Sequence, residues 1–361
     1  MSTKQQKIDS FDPSQPGLAD ATIYGLPFTS EESEIVVVPV PWEVTVSYGA
    51  GASEGPEAIL EASYQVDLLH QQYPDLWKLG IYFDEAPAHW LNNSEEFKAL
   101  AQPIIEALEN GVDIRQEEEL QQDLNTINKA CDQLHKEVEE RVDYWMKQGK
   151  KVVLLGGDHS TPLGYYRSLA KVHDSFGILH FDAHMDLRDA YEGFTYSHAS
   201  IMFNTLKIEA VKKIVQVGIR DFCEQEVAVV QASNGRVLVH TDADLKKDEF
   251  EGMSWKQKCD QIIESLPAKV AVSFDIDALL AWYCPNTGTP VAGGLTYEQA
   301  TYMLTRLSLS GKEIIGMDLV EVAPGEDDWD GNVGARLLFH MCGAFAKSQG
   351  LAVGNEIVFQ K

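Results

Sequence analysis

The sequence predicts an α/β fold: a three-layer sandwich whose central sheet is mostly parallel and carries helices on both faces. Short, nearly continuous apolar runs recur along the 361 residues, and stretches of helical period separate them. Strands apolar on both faces are buried on both, which is the habit of parallel sheets covered by crossover helices. The residues able to do chemistry also cluster just past the carboxyl ends of these runs, where such sheets bind ligands.

The predicted strands are Glu34 to Val40, Lys151 to Leu155, Gly177 to Phe181, Lys213 to Val217, Arg236 to Val239, Lys269 to Phe274 and Glu313 to Leu319. Between the first two, Leu120, Leu124, Ile127, Cys131, Leu134, Val138, Val142 and Trp145 repeat at intervals of three and four. That spacing predicts a long amphipathic helix. The acid-rich segment leading into it marks a peripheral helical insertion near residues 92–149. Residues 1–30, with Pro13, Pro16, Gly17, Gly25 and Pro27, are expected to form an amino-terminal arm, either mobile or packed on a neighbouring subunit. No linker or internal repeat divides residues 31–361, so they are expected to form a single domain.

The strongest chemical signal is Asp182, His184 and Asp186, which alternate through the segment DAHMD. In extended backbone, residues i, i+2 and i+4 share a face, so these three side chains project together. GGDHS, ending the run at Leu155, adds His159; SFDID, ending the run at Phe274, adds Asp275 and Asp277. Four carboxylates and two imidazoles exceed the needs of a lone zinc ion and suit a harder pair such as Mn²⁺, with Ni²⁺ as the alternative. Two divalent cations roughly 3.5–4 Å apart lower the pKa of a water held between them and supply hydroxide at neutral pH. A single strand-end aspartate more often caps a turn, but three converging strand ends argue against that reading. His180 and Asp158 stand beside the motifs and are expected to have a structural role or to orient ligands by hydrogen bonds.

GGDHS, DAHMD and SFDID, in this order, resemble the metal-binding motifs of the ureohydrolase family, which includes arginase, agmatinase and formiminoglutamase. The segments PWEVTVSYG from Pro41, GPEAI from Gly55, YSHAS from Tyr196, TGTP from Thr287, GGL from Gly293 and EVAP from Glu321 extend the resemblance over roughly residues 34–345. The resemblance implies an arginase-like fold, a binuclear site, hydrolysis of a small guanidino compound to urea, and a homo-oligomer, trimeric or hexameric. It also implies roles: Asp186 relays a proton to the leaving amine, His198 shuttles protons to solvent, and Glu321 binds the guanidinium. Imidazole titrates near neutrality, which suits the shuttle. A carboxylate accepts paired N–H donors in one plane, which suits Glu321.

The formal net charge of −27 leaves no basic stripe to displace counterions from phosphates, which excludes nucleic acid as a partner. A negative field favours encounter with a cation, although the same acidity serves solubility. Five cysteines without a CxxC pair and a polar amino terminus point to a reducing, cytoplasmic setting with no membrane partner.

Departures from the family pattern bear on the substrate. Many relatives carry Asp-Pro where this chain has Leu280 and Ala281, which alters the loop over residues 278–285. Trp282 in that loop and Trp42 are candidates for walls of the pocket. Arg188 either reads a substrate carboxylate or is held locally by Asp189 or Glu192. The DLRDAYEG and TVSYG segments lean toward agmatinases, so the expected substrate is an amine-tailed guanidino compound. Arginase, formiminoglutamase and guanidine hydrolase activities are the alternatives, and a non-catalytic metal-binding assembly protein is the alternative of another class.

Overall fold

The computed structural model describes residues 3–15 and 21–359. Its strands are β1 Ile35–Val40, β2 Ile81–Phe83, β3 Lys151–Gly156, β4 Phe176–Phe181, β5 Val211–Ile219, β6 Val237–Thr241, β7 Lys269–Asp275 and β8 Glu313–Val320. The helices are α1 Lys4–Ser10, α2 Gly55–Ser63, α3 Ala88–Glu109, α4 Glu118–Lys147, α5 Leu163–Val172, α6 Ile201–Leu206, α7 Glu224–Ala232, α8 Asp242–Phe250, α9 Trp255–Glu264, α10 Tyr297–Ser308 and α11 Trp329–Ser348.

The strands form one sheet in the order β2-β1-β3-β8-β7-β4-β5-β6. Every pairing is parallel, so the expectation of a mostly parallel sheet becomes a wholly parallel one among the described residues. Alternate side chains divide between two cores. In β3, Val153 and Leu155 enter one core with Ile59 of α2, Leu304 of α10 and Leu338 of α11. Their neighbours Val152 and Leu154 enter the other, with Ile104 of α3, Ile127 of α4 and Leu169 of α5. This is the period-two consequence of a strand covered on both faces.

Three features differ from the sequence reading. The edge strand β2 is only three residues long, too short to stand out as an apolar run. Residues 21–30 do not form an arm: Ile23, Tyr24, Leu26 and Phe28 are buried in the chain's own core, and the Tyr24 hydroxyl donates to the Ala335 carbonyl at 2.9 Å. Residues 1–2 and 16–20 of the proposed arm lie outside the described residues. Within 92–149, α4 buries its predicted apolar face from Leu124 to Trp145, and so forms part of a covering layer. α3 reaches the rim of the sheet, where Lys98 pairs with buried Glu43 and the Ser94 hydroxyl accepts from Glu43 N at 2.8 Å.

All five cysteines are free, and no helix among the described residues is long and apolar enough to cross a membrane.

A histidine pair ties α11 to the segment before β2. Gln72 N–H donates to His70 Nδ1 at 3.2 Å, which leaves His70 Nε2–H to donate to His340 Nδ1 at 3.2 Å. His340 Nε2–H then meets the Thr305 hydroxyl at 3.1 Å. A second proton on His340 Nδ1 would face the His70 N–H. Burial lowers His70 to about 4; burial, with His70 beside it, lowers His340 to about 3. Both rings are therefore neutral in the fold and gain protons on unfolding below their ordinary pKa of about 6.5. The stabilisation they provide is complete above that pH and is lost as pH falls toward 4. Melting temperatures between pH 7 and 5 should fall more steeply in the wild type than in His340→Gln; equal slopes would show that the pair does not govern acid stability.

Candidate metal centre

The four central strands β3, β8, β7 and β4 end side by side, and each delivers residues to one buried cluster. β3 leads to His159, β4 to Asp182, His184 and Asp186, β7 to Asp275 and Asp277, and β8 to Glu321. All six expected ligands come together. The convergence of Asp182, His184 and Asp186 does not come from strand parity, however: β4 ends at Phe181, His184 makes only an isolated bridge to Asp221, and Asp186 has φ +54°. A tight, partly left-handed path brings them together.

The cluster has two lobes. His159 Nδ1 lies 3.1 Å from Asp182 Oδ2, 3.2 Å from Asp186 Oδ2 and 3.1 Å from Asp275 Oδ2. His184 Nδ1 lies 3.0 Å from Asp277 Oδ2 and 3.4 Å from Asp182 Oδ1. Asp182 therefore gives one oxygen to each lobe.

The residues fit a pair of divalent cations. His159 Nδ1 is fully enclosed and makes no well-directed hydrogen bond, although three carboxylate oxygens surround it. One N–H cannot point at three acceptors, whereas an ion among them can bind all four atoms. Ligand atoms about 2.1 Å from a common ion stand roughly 3 Å apart in octahedral geometry, the spacing found here. Electrostatics agree. Burial, then the charge on Asp182, raises Asp186 to about 7, and burial with Asp277 and Asp182 pushes Asp275 well above the usual carboxylate range. Burial opposes charge on His184, yet Asp277 and Asp182 raise it to about 12. The cluster calls for positive charge.

Beneath it runs a rung of polar residues, one from each of four adjacent strands. Gln216 of β5 is in register with His180 of β4, His180 with Ser273 of β7, and Ser273 with Asp318 of β8. All four are fully buried. Asp318 accepts from the Ser273 hydroxyl at 2.7 Å and from Tyr166 OH at 2.7 Å. With its proton thus committed, Ser273 Oγ accepts from His159 Nε2–H at 2.9 Å, which turns Nδ1 toward the carboxylates. Gln216 Nε2 donates to His180 Nδ1 at 2.9 Å, so His180 Nε2–H donates to Asp182 Oδ2 at 2.8 Å. The orienting role expected of His180 has this geometry. Asp158 takes the structural alternative, accepting from Ser160 N at 2.9 Å, the Ser160 hydroxyl at 2.5 Å and Val44 N at 3.4 Å. Sequence reasoning missed Gln216, Ser273 and Asp318 as supports. Their signal was a polar residue interrupting an apolar strand.

Glu321, with φ +63°, turns its carboxylate back over the cluster. Oε1 accepts from His159 N–H at 2.8 Å, while Oε2 faces Gly288. Burial, then Asp275 and Asp158, raises its pKa well above the ordinary value, and a neighbouring cation would act in the opposite direction. His198 begins a short 3-10 turn, its Nδ1 enclosed without a partner and its ring 6.3 Å from Tyr191. Burial, then the charges of His184 and His159, lowers it to about 4, below the near-neutral value expected from sequence.

Three pocket assignments change. Trp42 is only 2% exposed and packs in the core beside Phe97 at 6.2 Å, and the small cavity of about 140 Å³ that it lines with Trp90 and Phe97 contains none of the six ligands. Trp282 is 65% exposed, and its carbonyl accepts from Trp329 Nε1 at 2.8 Å; it stands outward and does not seal the site. Arg188 is held neither by Asp189 nor by Glu192. Its guanidinium lies 4.9 Å over the Tyr191 ring and its Nε is 4.0 Å from Glu226 Oε2. Glu226 is fixed in turn by Leu187 N at 3.1 Å and Cys223 N at 2.9 Å. Arg220 supports the other side of the site, donating to the carbonyls of Gly218, Asp277, Leu279 and Val291 at 2.6–3.3 Å. A cleft of about 1280 Å³ opens farther along the rim beside Pro41, Glu54, Glu57 and Glu326, and none of the six ligands lines it.

Comparison with known proteins gives a consistent picture. The Arginase family model matches residues 33–343. The N(1)-aminopropylagmatine ureohydrolase of Thermus thermophilus is 30% identical over 313 residues, covering 87% of this chain and 90% of that protein. The agmatinase of Neisseria meningitidis serogroup C is 28% identical over 307 residues, 84% of each chain. Among solved structures, proclavaminate amidino hydrolase from Streptomyces clavuligerus aligns with a TM-score of 0.70 at 21% identity, covering 93% of this chain and all of that one. The agmatine ureohydrolase of Thermoplasma volcanium aligns at 0.68 and 22%, covering 96% and 99%. These structural likenesses are likenesses of fold.

The two lobes predict distinct losses of metal. His184→Asn should lower the bound divalent metal from about two ions per chain to about one, whereas Asp182→Ala, which removes the oxygen given to each lobe, should empty both. Metal analysis after dialysis reads the difference, and equal stoichiometry in the two variants would refute the division into lobes.

Proposed function

The chain belongs to the Arginase family and is a ureohydrolase of that family, and we propose that it hydrolyses an amine-tailed guanidino compound, agmatine or its N1-aminopropyl derivative, to urea and the free amine. The observation that carries the substrate choice is the engagement of Arg188. With its guanidinium over the Tyr191 ring and its Nε 4.0 Å from the buried carboxylate of Glu226, Arg188 already has an anion of the chain's own beside it, which argues against a second carboxylate from the substrate. The names of the curated relatives point the same way, and the chain's charge of −27 favours a cationic substrate.

The guanidinium carbon is a poor electrophile, so the reaction needs a strong nucleophile and close positioning. Bound at the cluster, a pair of divalent cations acidifies water and supplies that nucleophile at neutral pH. His159, Asp182, His184, Asp186, Asp275 and Asp277 would hold the pair. Glu321 receives the guanidinium: the free oxygen Oε2 accepts an N–H donor, and the substrate's positive charge favours ionisation of the carboxylate. When the carbon–nitrogen bond breaks, the leaving amine requires a proton, and Asp186, in the first lobe, is the group assigned to carry it from the attacking hydroxyl to that nitrogen. His198 would take the proton given up when water is ionised at the cluster and pass it to solvent. Being neutral at pH 7, it enters the cycle as an acceptor.

Because His198 is assigned to proton transfer and not to metal binding, His198→Ala should keep its full metal content while kcat falls about 10²–10⁴-fold. Loss of metal together with activity would refute the role. For the substrate, kcat/KM for urea release should be highest with agmatine or N1-aminopropylagmatine and lower with arginine, guanidinobutyrate, formiminoglutamate and free guanidine. A clear preference for a carboxylate-bearing compound would overturn the proposed amine tail.

A further inference from the structure

The loop that departs from the family pattern is gripped from outside by the first turn of α11. Trp329 Nε1 donates to the Trp282 carbonyl at 2.8 Å. Its neighbour Asp330, fully buried, uses both carboxylate oxygens on one residue: Asn286 N–H donates to Oδ1 at 3.1 Å and Asn286 Nδ2 to Oδ2 at 2.9 Å. A carboxylate in the first turn of a helix is favourably placed, but that effect does not require a partner on another loop. Here the two hydrogen bonds fix the backbone and side chain of Asn286 together.

The next two residues carry this constraint to the site. The Thr287 hydroxyl donates to the Glu321 carbonyl at 2.8 Å, across the residue whose left-handed backbone, φ +63°, aims its carboxylate. Gly288 follows. A Cβ built at Gly288 would lie 3.5 Å from Glu321 Oε2, the oxygen not used by His159 N–H, and the Gly288 carbonyl accepts from Gly49 N at 3.2 Å on the opposite lip. Residues 286, 287 and 288 thus touch in turn the α11 clamp, the backbone of Glu321 and the space in front of its free oxygen.

We propose that Asp330 is a positioning residue for substrate recognition: by clamping Asn286 it sets Thr287 and Gly288, and through them the carboxylate of Glu321 that receives the guanidinium. This rests on the assignment of Glu321 above. Asp330 touches neither metal ligands nor reacting atoms, so its influence should appear in binding more than in turnover.

The test exploits the near-identical shapes of Asp and Asn. Asn286→Asp sets a carboxylate oxygen against Asp330 Oδ2 and breaks one of the two hydrogen bonds, with no amide left to flip and restore it; KM for the best guanidino substrate should rise on the order of tenfold, with metal content unchanged and kcat within about twofold. Combining Asp330→Asn with Asn286→Asp exchanges donor and acceptor, rebuilds both bonds and should restore KM. Hydrogen exchange over residues 282–288 should quicken in the single variant and return to wild-type rates in the double variant. An unchanged KM in the single variant, or a joint loss of kcat and KM that the double variant fails to rescue, overturns the positioning role. A wild type that releases urea from no guanidino compound instead overturns the assigned function, and with it the role given to Asp330.

Discussion

The confinement of four carboxylates beside two imidazoles at the ends of four neighbouring strands governs much of the surrounding structure. Asp182, Asp186, Asp275 and Asp277 are each at most 5% exposed, and buried like charges are costly unless cations and oriented hydrogen bonds compensate them. The sheet meets this constraint with the rung Gln216, His180, Ser273 and Asp318, which sacrifices apolar packing at four positions to orient one histidine and one aspartate. A lone unsatisfied polar group in that row would cost about 1–3 kcal/mol. Joined across strands in register, most of the donors and acceptors there satisfy one another.

The loops around the cluster are fixed with comparable economy, but by different means. Arg220 collects four backbone carbonyls and so fastens the start of the 278–295 loop, including the carbonyl of Asp277, to the end of β5. Asp330 fastens the middle of the same loop to α11. Buried Glu43 accepts from Gly51 N at 2.8 Å and Ala52 N at 2.9 Å, holding the opposite lip with the help of Lys98 from α3. Charged side chains spent on backbone groups in this way make loops behave as rigid scaffold, which is what close positioning of a substrate requires.

Much of this was legible in the sequence, and the exceptions share a cause. Seven of the eight strands announced themselves as apolar runs, six of them buried on both faces as parallel strands are and the seventh, β6, a partly buried edge; β2, three residues at the other edge, lacks the length to do so. The six proposed ligands were legible because their residue types are rare in such density at strand ends. Their supports were not, because Ser273 or Gln216 acquires meaning only when register places it beside His159 or His180. Trp42 and Trp282 show the same limit: an aromatic residue near a motif has no direction until the backbone is known, and here one faces the core and the other solvent. Tyr24 and its neighbours, read as an arm from their glycines and prolines, are core because a few buried apolar side chains outweigh loop-forming composition.

A single hydrogen bond joins the metal cluster to the recognition side. His159 presents its ring to the carboxylates and its backbone N–H to Glu321 at 2.8 Å, so the residue that anchors the first lobe also orients the proposed guanidinium acceptor. Glu321 lies near Asp275, and burial, then that neighbour, raises its pKa well above the ordinary value. Cations at the cluster would screen Asp275 and ease ionisation of Glu321, and an arriving guanidinium would complete it. Metal loading and substrate affinity are then linked through electrostatics, with no movement of the backbone required. The strained φ of Glu321 fits this arrangement: the position is specified from three directions, by Gly157, His159 and Thr287, because a carboxylate left to relax toward solvent would lose contact with both the cluster and the substrate.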